Sequence, residues 1–117
     1  MSSLAQPRLR VLHYLLWYSH NAYVAHCLDL DIVATATNSD EEAIRRLNIL
    51  VQSHINQACT LGNYSALSTP APQEYWDRFM AGRPEGYRPM GISVSGPDIV
   101  PSPAAHLGVL AAHYAGV

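Results

Sequence analysis

The sequence contains no lysine, so arginine supplies all seven of its basic side chains. Seven arginines among 117 residues, at a net charge of -2, are too few for the basic stripe that binds nucleic-acid phosphates. Only 14% of the residues are charged, whereas 49% are hydrophobic. This composition predicts a folded domain, and its scarcity of charge indicates that some apolar surface is reserved for a partner.

Cysteine is scarce as well. Cys27 and Cys59 are the only two, and they do not form a CxxC pair of the kind that binds metal. No hydrophobic run is long enough to span a bilayer, and residues 1–10 lack the charged-then-apolar pattern of a secretion signal. We therefore expect a cytoplasmic protein whose two thiols are reduced and buried.

Residues 37–63 carry the clearest local signal, that of one complete helix. Ser39 is a suitable N-cap, Glu42 stands at the capping-box position, and Gly62 suits the left-handed conformation that ends helices. Apolar residues recur between the caps at steps of three and four: Ala43, Ile44, Leu47, Val51, Ile55, Ala58 and Leu61. A helix with one apolar stripe requires a surface to cover.

Three strand-like segments precede the helix and predict that surface: residues 8–18, 23–28 and 32–37. The sequence SHNA at residues 19–22 predicts a hairpin turn that pairs Tyr18 with Tyr23. This register gives two apolar faces, one with His13, Leu15, Trp17, Val24, His26 and Leu28, the other with Leu12, Tyr14, Leu16, Tyr23, Ala25 and Cys27. One face can pack on the helix; the other requires a second helix, the C-terminal tail or another subunit.

The C-terminal half predicts less regular structure. For residues 64–83 we predict a connector and a short aromatic helix anchored by Tyr75, Trp76 and Phe79. For residues 84–117 we predict a Pro/Gly-rich tail. Within the tail we predict an optional edge strand at 92–94 and a terminal helix at 104–114. The predicted fold is α+β: residues 8–63 form a small antiparallel sheet of three strands, or four, covered by one main helix.

The run from Tyr23 to Leu47, YVAHCLDLDIVATATNSDEEAIRRL, resembles the HicB-like antitoxin domain family. The shared pattern is a strand ending in an acidic turn, a small-residue strand, and a helix opened by two acids, an alanine and a hydrophobic residue. The resemblance covers residues 8–61, and residues 25–47 are its most specific part. It implies a β-β-β-α-β core related to a shortened RNase H fold, and a small, basic, HicA-like toxin as partner. Where the family usually has Pro-Gly, this chain has Leu30-Asp31.

Many members of that family also carry a C-terminal DNA-binding module. Residues 84–103 contain five prolines and cannot form a pair of helices, and the predicted terminal helix has no basic face. The resemblance therefore gives no basis for predicting operator binding, and we expect no clear nucleic-acid binding.

The candidate site is a group of acids that we expect at one end of the sheet, Asp29 and Asp31 in a turn, Asp40 and Glu41 at the helix cap. Such a group can dock a basic protein through charge complementarity, with Trp17 and Tyr23 as apolar anchors. The sequence thus predicts a non-enzymatic protein-interaction domain, antitoxin-like or regulatory. We predict no catalytic residue, no metal site and no cofactor.

Two alternatives belong to other functional classes. A diverged RNase H-like nuclease requires carboxylates converging on divalent cations, one of them from the first strand, but residues 8–18 contain no acid. The second alternative is a structural homodimer. We expect a homo-oligomer whichever function the chain has.

Three further sites are disfavoured by the pattern. Zinc binding by His13, His26, His54 and Cys59 lacks carboxylates that would orient the rings. Base stacking on Tyr14, Trp17, Tyr18 and Tyr23 lacks flanking basic residues. A nucleophile pair of His26 and Cys27 is excluded because adjacent strand residues point to opposite faces.

Overall fold

The computed structural model describes residues 11–91 and 106–115, with the side chains of 88–91 and 106–107 left out. These residues form one five-stranded mixed sheet with a helix on each face. The elements, in chain order, are β1 (Val11–Ser19), β2 (Ala22–Cys27), β3 (Ile32–Ala36), α1 (Asp40–Leu61), a 3-10 turn (Tyr64–Leu67), α2 (Gln73–Ala81), β4 (Arg83–Gly91) and β5 (His106–His113).

The β1–β2 hairpin has the predicted turn and register. His20 and Asn21 have φ angles of 54° and 63°, the pair of positive values that defines a type I′ hairpin turn. Tyr18 lies opposite Tyr23, and β3 continues the antiparallel order on the far side of β2. The predicted division of β1 and β2 into two faces is therefore confirmed.

The strand order across the sheet is β3-β2-β1-β5-β4. β5 runs parallel to β1 and antiparallel to β4, so the last strand among the described residues lies inside the sheet and not at its edge. The sheet is consequently mixed and has five strands, where the sequence predicted an antiparallel sheet of three or four.

Helix α1 begins and ends as predicted. The Ser39 hydroxyl accepts a hydrogen bond from the Glu42 main-chain N–H, and Gly62 has φ 67° in the left-handed region. The Glu42 carboxylate contacts the guanidinium groups of Arg45 and Arg46. The hydrogen bond from Arg45, more than any other interaction, holds the pKa of Glu42 below its ordinary value.

The apolar stripe of α1 packs on the sheet face that contains Tyr14 and Ala25. Tyr14 is fully buried, and its hydroxyl donates to Asn48 Oδ1 of α1 over 2.8 Å. The core on this face comprises Leu12, Leu16, Cys27, Ala34, Ala36, Val109 and Ala111 from the strands and Ala43, Ile44, Leu47, Val51, Ile55, Ala58 and Cys59 from α1.

The second sheet face is covered in part by α2, the short aromatic helix that the sequence predicted. Phe79 packs with Leu15, Leu28 and Ala112, and Trp76 and Tyr75 border this smaller core. The sequence left three options for covering this face, namely a second helix, the tail or another subunit. The structure has a second helix there, and it covers part of the face. Within the part of the chain that the structure describes, neither helix is long and apolar enough to cross a membrane.

The prediction for the C-terminal tail is wrong in two respects. Residues 106–113, predicted within a terminal helix, form β5, and residues 83–91, predicted to be irregular, form β4. A short apolar run fits a buried strand as well as a buried helix, and β1 and β4 supply β5 with main-chain partners on both sides. The predicted edge strand at 92–94 and the Ser102-Pro103 helix start lie outside the described residues.

Candidate functional site

The face carrying α2 also carries two histidine–aspartate pairs, both built from the strands and the turn between β2 and β3. Asp29 contacts His13 of β1 with both carboxylate oxygens. The His13 main-chain N–H donates to Asp29 Oδ1 over 2.6 Å, and the His13 Nδ1 lies 3.0 Å from Asp29 Oδ2. The Asp29 side chain is only 18% exposed. Asp29 therefore joins the turn to the neighbouring strand and is largely occupied by that role.

Asp31 forms the second pair and is more open. Its Oδ1 lies 2.7 Å from His26 Nε2, and its side chain is 47% exposed, whereas His26 is only 3% exposed. Asp31 has φ 53°, a left-handed conformation that aspartate tolerates better than most residues. His26 Nδ1 is buried with no hydrogen-bond partner among the described residues, so the ring depends on Asp31 for its polar contact.

Aromatic side chains close over both imidazoles. Tyr75 of α2 lies edge-to-face with His26 at 4.9 Å and stacks on Trp17 at 6.2 Å between ring centroids. Trp76 and Phe79 flank His13 at 5.2 and 5.4 Å. These contacts restrict the orientation of the imidazoles, because His26 lies between a ring of β1 and a ring of α2, and His13 lies against two rings of α2.

The rest of this face is uncovered. Helix α2 packs on β1 and β5, and its Tyr75 reaches only as far as His26 of β2. Val33 of β3, on the same face, is 46% exposed, and Thr35 beside it is exposed as well. We name this surface the open floor: Val33 and Thr35, bordered by Asp31 at the turn and by Trp17 at the edge of the aromatic cluster.

The six predicted partner-binding residues fall into two separate groups. Trp17, Asp29 and Asp31 lie together on the α2 side of the sheet. Tyr23 packs against the α1 core on the opposite face. Asp40 and Glu41 begin α1, after β3 has ended.

The expectation of a single acidic end is therefore wrong. Asp31 precedes Ile32 at one end of β3, while Asp40 and Glu41 follow Ala36 at the other. Four residue steps of about 3.3 Å put about 13 Å between the two ends of that strand. We expected these acids to lie together because they are close in the sequence. β3 lies between the two groups, however, and separates Asp40 and Glu41 from Asp31 by its length.

The remaining candidate groups are distributed as follows. His13 and His26 share a face, as predicted, but His54 lies on α1, where its Nε2 contacts the Ala66 carbonyl oxygen at 2.9 Å. Cys59 is also on α1. Among the residues that the structure describes, no three His, Cys, Asp or Glu side chains are grouped so as to hold a metal ion.

Cys27 belongs to the α1 core and faces away from His26. Burial, assisted by the negative charge of Asp29, raises the pKa of its thiol to about 12. The thiol is accordingly protonated at neutral pH and acts as a small apolar side chain.

The expectation that His13 and His26 lack carboxylates to orient their rings is wrong, because Asp29 bonds to His13 and Asp31 bonds to His26. The signal was present in the alternation of β2 and the tight turn after it, which brings a residue five positions later back alongside the strand. A comparison with protein-family models, curated proteins and solved structures finds no match to this chain.

Proposed function

We propose that this chain is a protein-interaction domain of the HicB-like type, without catalytic activity, which binds a small basic protein on the open floor. The observation that carries the proposal is a half-exposed carboxylate in a fixed position beside an uncovered apolar strand. Asp31 is held by a buried histidine, and Val33, two residues on, exposes 46% of its surface. A cationic side chain of a partner can pair with Asp31 while an apolar side chain of the same partner packs on Val33.

Preorganisation makes this arrangement suited to binding. Free acidic side chains lose rotamer freedom when they pair with a cation, which reduces the affinity gained. Asp31 has already lost that freedom, because His26 holds one of its oxygens at 2.7 Å. The second oxygen of the same carboxylate remains to accept a charge-assisted hydrogen bond from an arginine or lysine of the partner.

The resemblance to the HicB-like family supports the same proposal. The matching run, residues 23–47, forms β2, the acidic turn, β3 and the start of α1. Where the family usually has Pro-Gly, the glycine position is taken by Asp31, whose φ of 53° lies in the region that favours glycine. The succession β1, β2, β3, α1 and then β5 beside β1 also supports a β-β-β-α-β core.

The test uses a small basic protein encoded beside the gene for this chain, titrated against the full-length protein by calorimetry. Val33→Ser and Asp31→Asn should each weaken binding by about tenfold or more, since the first removes the apolar contact of the floor and the second removes the charge at its border. Ile49→Ser is the matched control, because Ile49 is 58% exposed but lies on α1, on the other face. Unchanged affinity in both floor variants would refute this surface.

The nuclease alternative is separated by adding Mn²⁺ or Mg²⁺ to the isolated protein. A carboxylate site that binds the cation would raise the unfolding temperature with cation concentration. The proposed interaction domain should show no such rise.

A further inference from the structure

The open floor has a charged border and an aromatic border, and both contact the ring of His26. Asp31 Oδ1 lies 2.7 Å from His26 Nε2. The Trp17 ring also contacts this imidazole, edge-to-face, at 5.8 Å between ring centroids. A carboxylate and an indole that contact the same small ring lie close enough for one long side chain of a partner to meet both.

Each border leaves something for a partner to contact. The Asp31 side chain is 47% exposed, and its Oδ2 has no hydrogen-bond partner among the described residues. The Trp17 ring stacks on Tyr75 at 6.2 Å, but its side chain is still partly exposed. The floor therefore presents a negative charge and an aromatic ring together, beside the apolar Val33.

The chain holds one of its own arginines with the same combination of groups. The Arg78 guanidinium carbon lies 5.2 Å from the Tyr75 ring centroid and 5.8 Å from that of Tyr114. Arg78 Nη2 is also 3.6 Å from Glu74 Oε2. A planar cation thus lies against aromatic rings while it pairs with a carboxylate. Tyr75 links this arrangement to the floor, because its ring also stacks on Trp17.

We propose that the open floor selects arginine over lysine in its partner, with the guanidinium bonded to Asp31 Oδ2 and lying against Trp17. This inference deepens the proposed function and rests on it. A guanidinium is planar and weakly hydrated and stacks on aromatic rings, whereas an ammonium is compact and strongly hydrated. Because Asp31 Oδ1 is already bonded to His26, the contact with Trp17 supplies the discrimination between the two cations.

Two blocked pentapeptides, acetyl-Gly-Leu-Arg-Leu-Gly-amide and its lysine counterpart, test this selection by NMR titration of the full chain. The arginine peptide should bind about threefold more tightly or better, the value of a cation–π contact at an exposed site. It should shift the indole N–H signal of Trp17 and the amide signal of Val33. The Trp76 indole, whose N–H donates to the Ala71 carbonyl oxygen, is the internal reference and should not shift.

Trp17→Leu keeps an apolar side chain and removes the aromatic ring, so its affinity for the arginine peptide should fall to that for the lysine peptide. Tyr18→Leu is the matched control. Tyr18 is the next residue of β1, is 49% exposed, and lies against Tyr23 on the opposite face. Asp31→Asn should weaken binding of both peptides alike, because both cations lose the same charge.

The comparison of the two peptides on the unmodified chain does not depend on whether any variant folds. Equal affinities, or no binding of either peptide, overturn the inference. An arginine preference that survives in folded Trp17→Leu overturns it as well, because the indole then has no part in the selection.

The inference and the proposed function fail by different results. If the small basic protein loses affinity in Val33→Ser and Asp31→Asn while the two peptides bind equally, the function stands and the selection for arginine is refuted. If the arginine peptide binds selectively at Trp17 but the small basic protein does not bind, the proposed function is refuted and the selection stands.

Discussion

At the scale of single residues, the effect of a polar side chain on stability and binding depends on its burial and on its one or two hydrogen-bond partners. Asp31 is the example with the largest consequence, since its carboxylate is the polar contact of Nε2 in the almost fully buried His26 ring, whose Nδ1 has no partner among the described residues. A buried donor or acceptor left without a partner costs about 1–3 kcal/mol. Asp31 therefore contributes to the stability of the fold and presents its charge to solvent at the same time.

Two substitutions separate those two roles of Asp31. Asp31→Asn retains an acceptor for His26, whereas Asp31→Gly retains the left-handed backbone and removes the acceptor. We expect Asp31→Gly to lower the free energy of unfolding by about 1–2 kcal/mol more than Asp31→Asn in urea titrations. The control is Asn21→Gly, because Asn21 also has a positive φ. Asp77→Gly is unsuitable as a control because Asp77 lies inside α2. Equal stability of the two Asp31 variants would show that His26 gains nothing from the carboxylate.

Cys27 gives a prediction about reactivity. Its pKa rises from 9.0 to about 12, so its thiolate fraction at mildly alkaline pH is about a thousandfold lower than in the unfolded chain. In a Cys59→Ser variant, Ellman's reagent should label Cys27 at least about a hundredfold more slowly in buffer than in denaturant. Rapid labelling of the native protein would mean that the core over Cys27 opens readily.

At the scale of elements, helix α1 depends on its ends as well as its apolar stripe. The Ser39 hydroxyl accepts from the Glu42 N–H over 3.1 Å, which satisfies one of the free donors at the helix start. Ser39→Ala should lower the free energy of unfolding by about 1 kcal/mol, whereas Ser39→Asp should preserve it. Ser53→Ala, an exposed change inside the same helix, is the control and should be neutral or slightly stabilising. Thermal or urea unfolding followed by circular dichroism measures all three.

The β4–β5 pair contains a close contact between a glycine and an exposed tyrosine ring. A Cβ added at Gly108 would overlap the ring of Tyr87, which crosses from β4 to cover it. Gly108→Ala should therefore displace the Tyr87 ring, which is 59% exposed and can rotate toward solvent, and should destabilise the protein by about 1 kcal/mol, the low end of the usual cost of overpacking. In a Tyr87→Ser background the same change should cost much less, because the obstructing ring is gone. A double-mutant cycle measures the difference, and strictly additive effects would contradict the contact.

At the scale of the whole molecule, the fold depends on β5. β5 lies between β1 and β4, contributing Val109 and Ala111 to one core and Ala112 to the other. A chain shortened to residues 1–91 should lose cooperative unfolding, since it loses a central strand and exposes both cores. The full-length variant Ala111→Asp, which buries a charge, should unfold as well. Survival of a cooperative transition in either would mean that β5 is dispensable.

The sequence by itself determined the hairpin and the main helix. Residues 19–22 required positive φ at two positions, and the alternation of β1 and β2 then set which side chains share a face. Ser39 and Gly62 marked the ends of α1, and its stripe identified the face that is buried. These features are local, because a turn, a cap or a period involves residues only a few positions apart.

Only the tertiary structure decided the place of β5 and the grouping of the candidate residues. Residues 109–112 are apolar on both sides, and the main-chain groups of β1 and β4, which belong to other segments of the sheet, make residues 106–113 a strand. The acids at Asp31 and Asp40 are close in the chain but separated by the length of β3, whereas Asp31 and His26 meet across a turn. Pairing between distant segments supplies this information, and no local pattern of residues contains it.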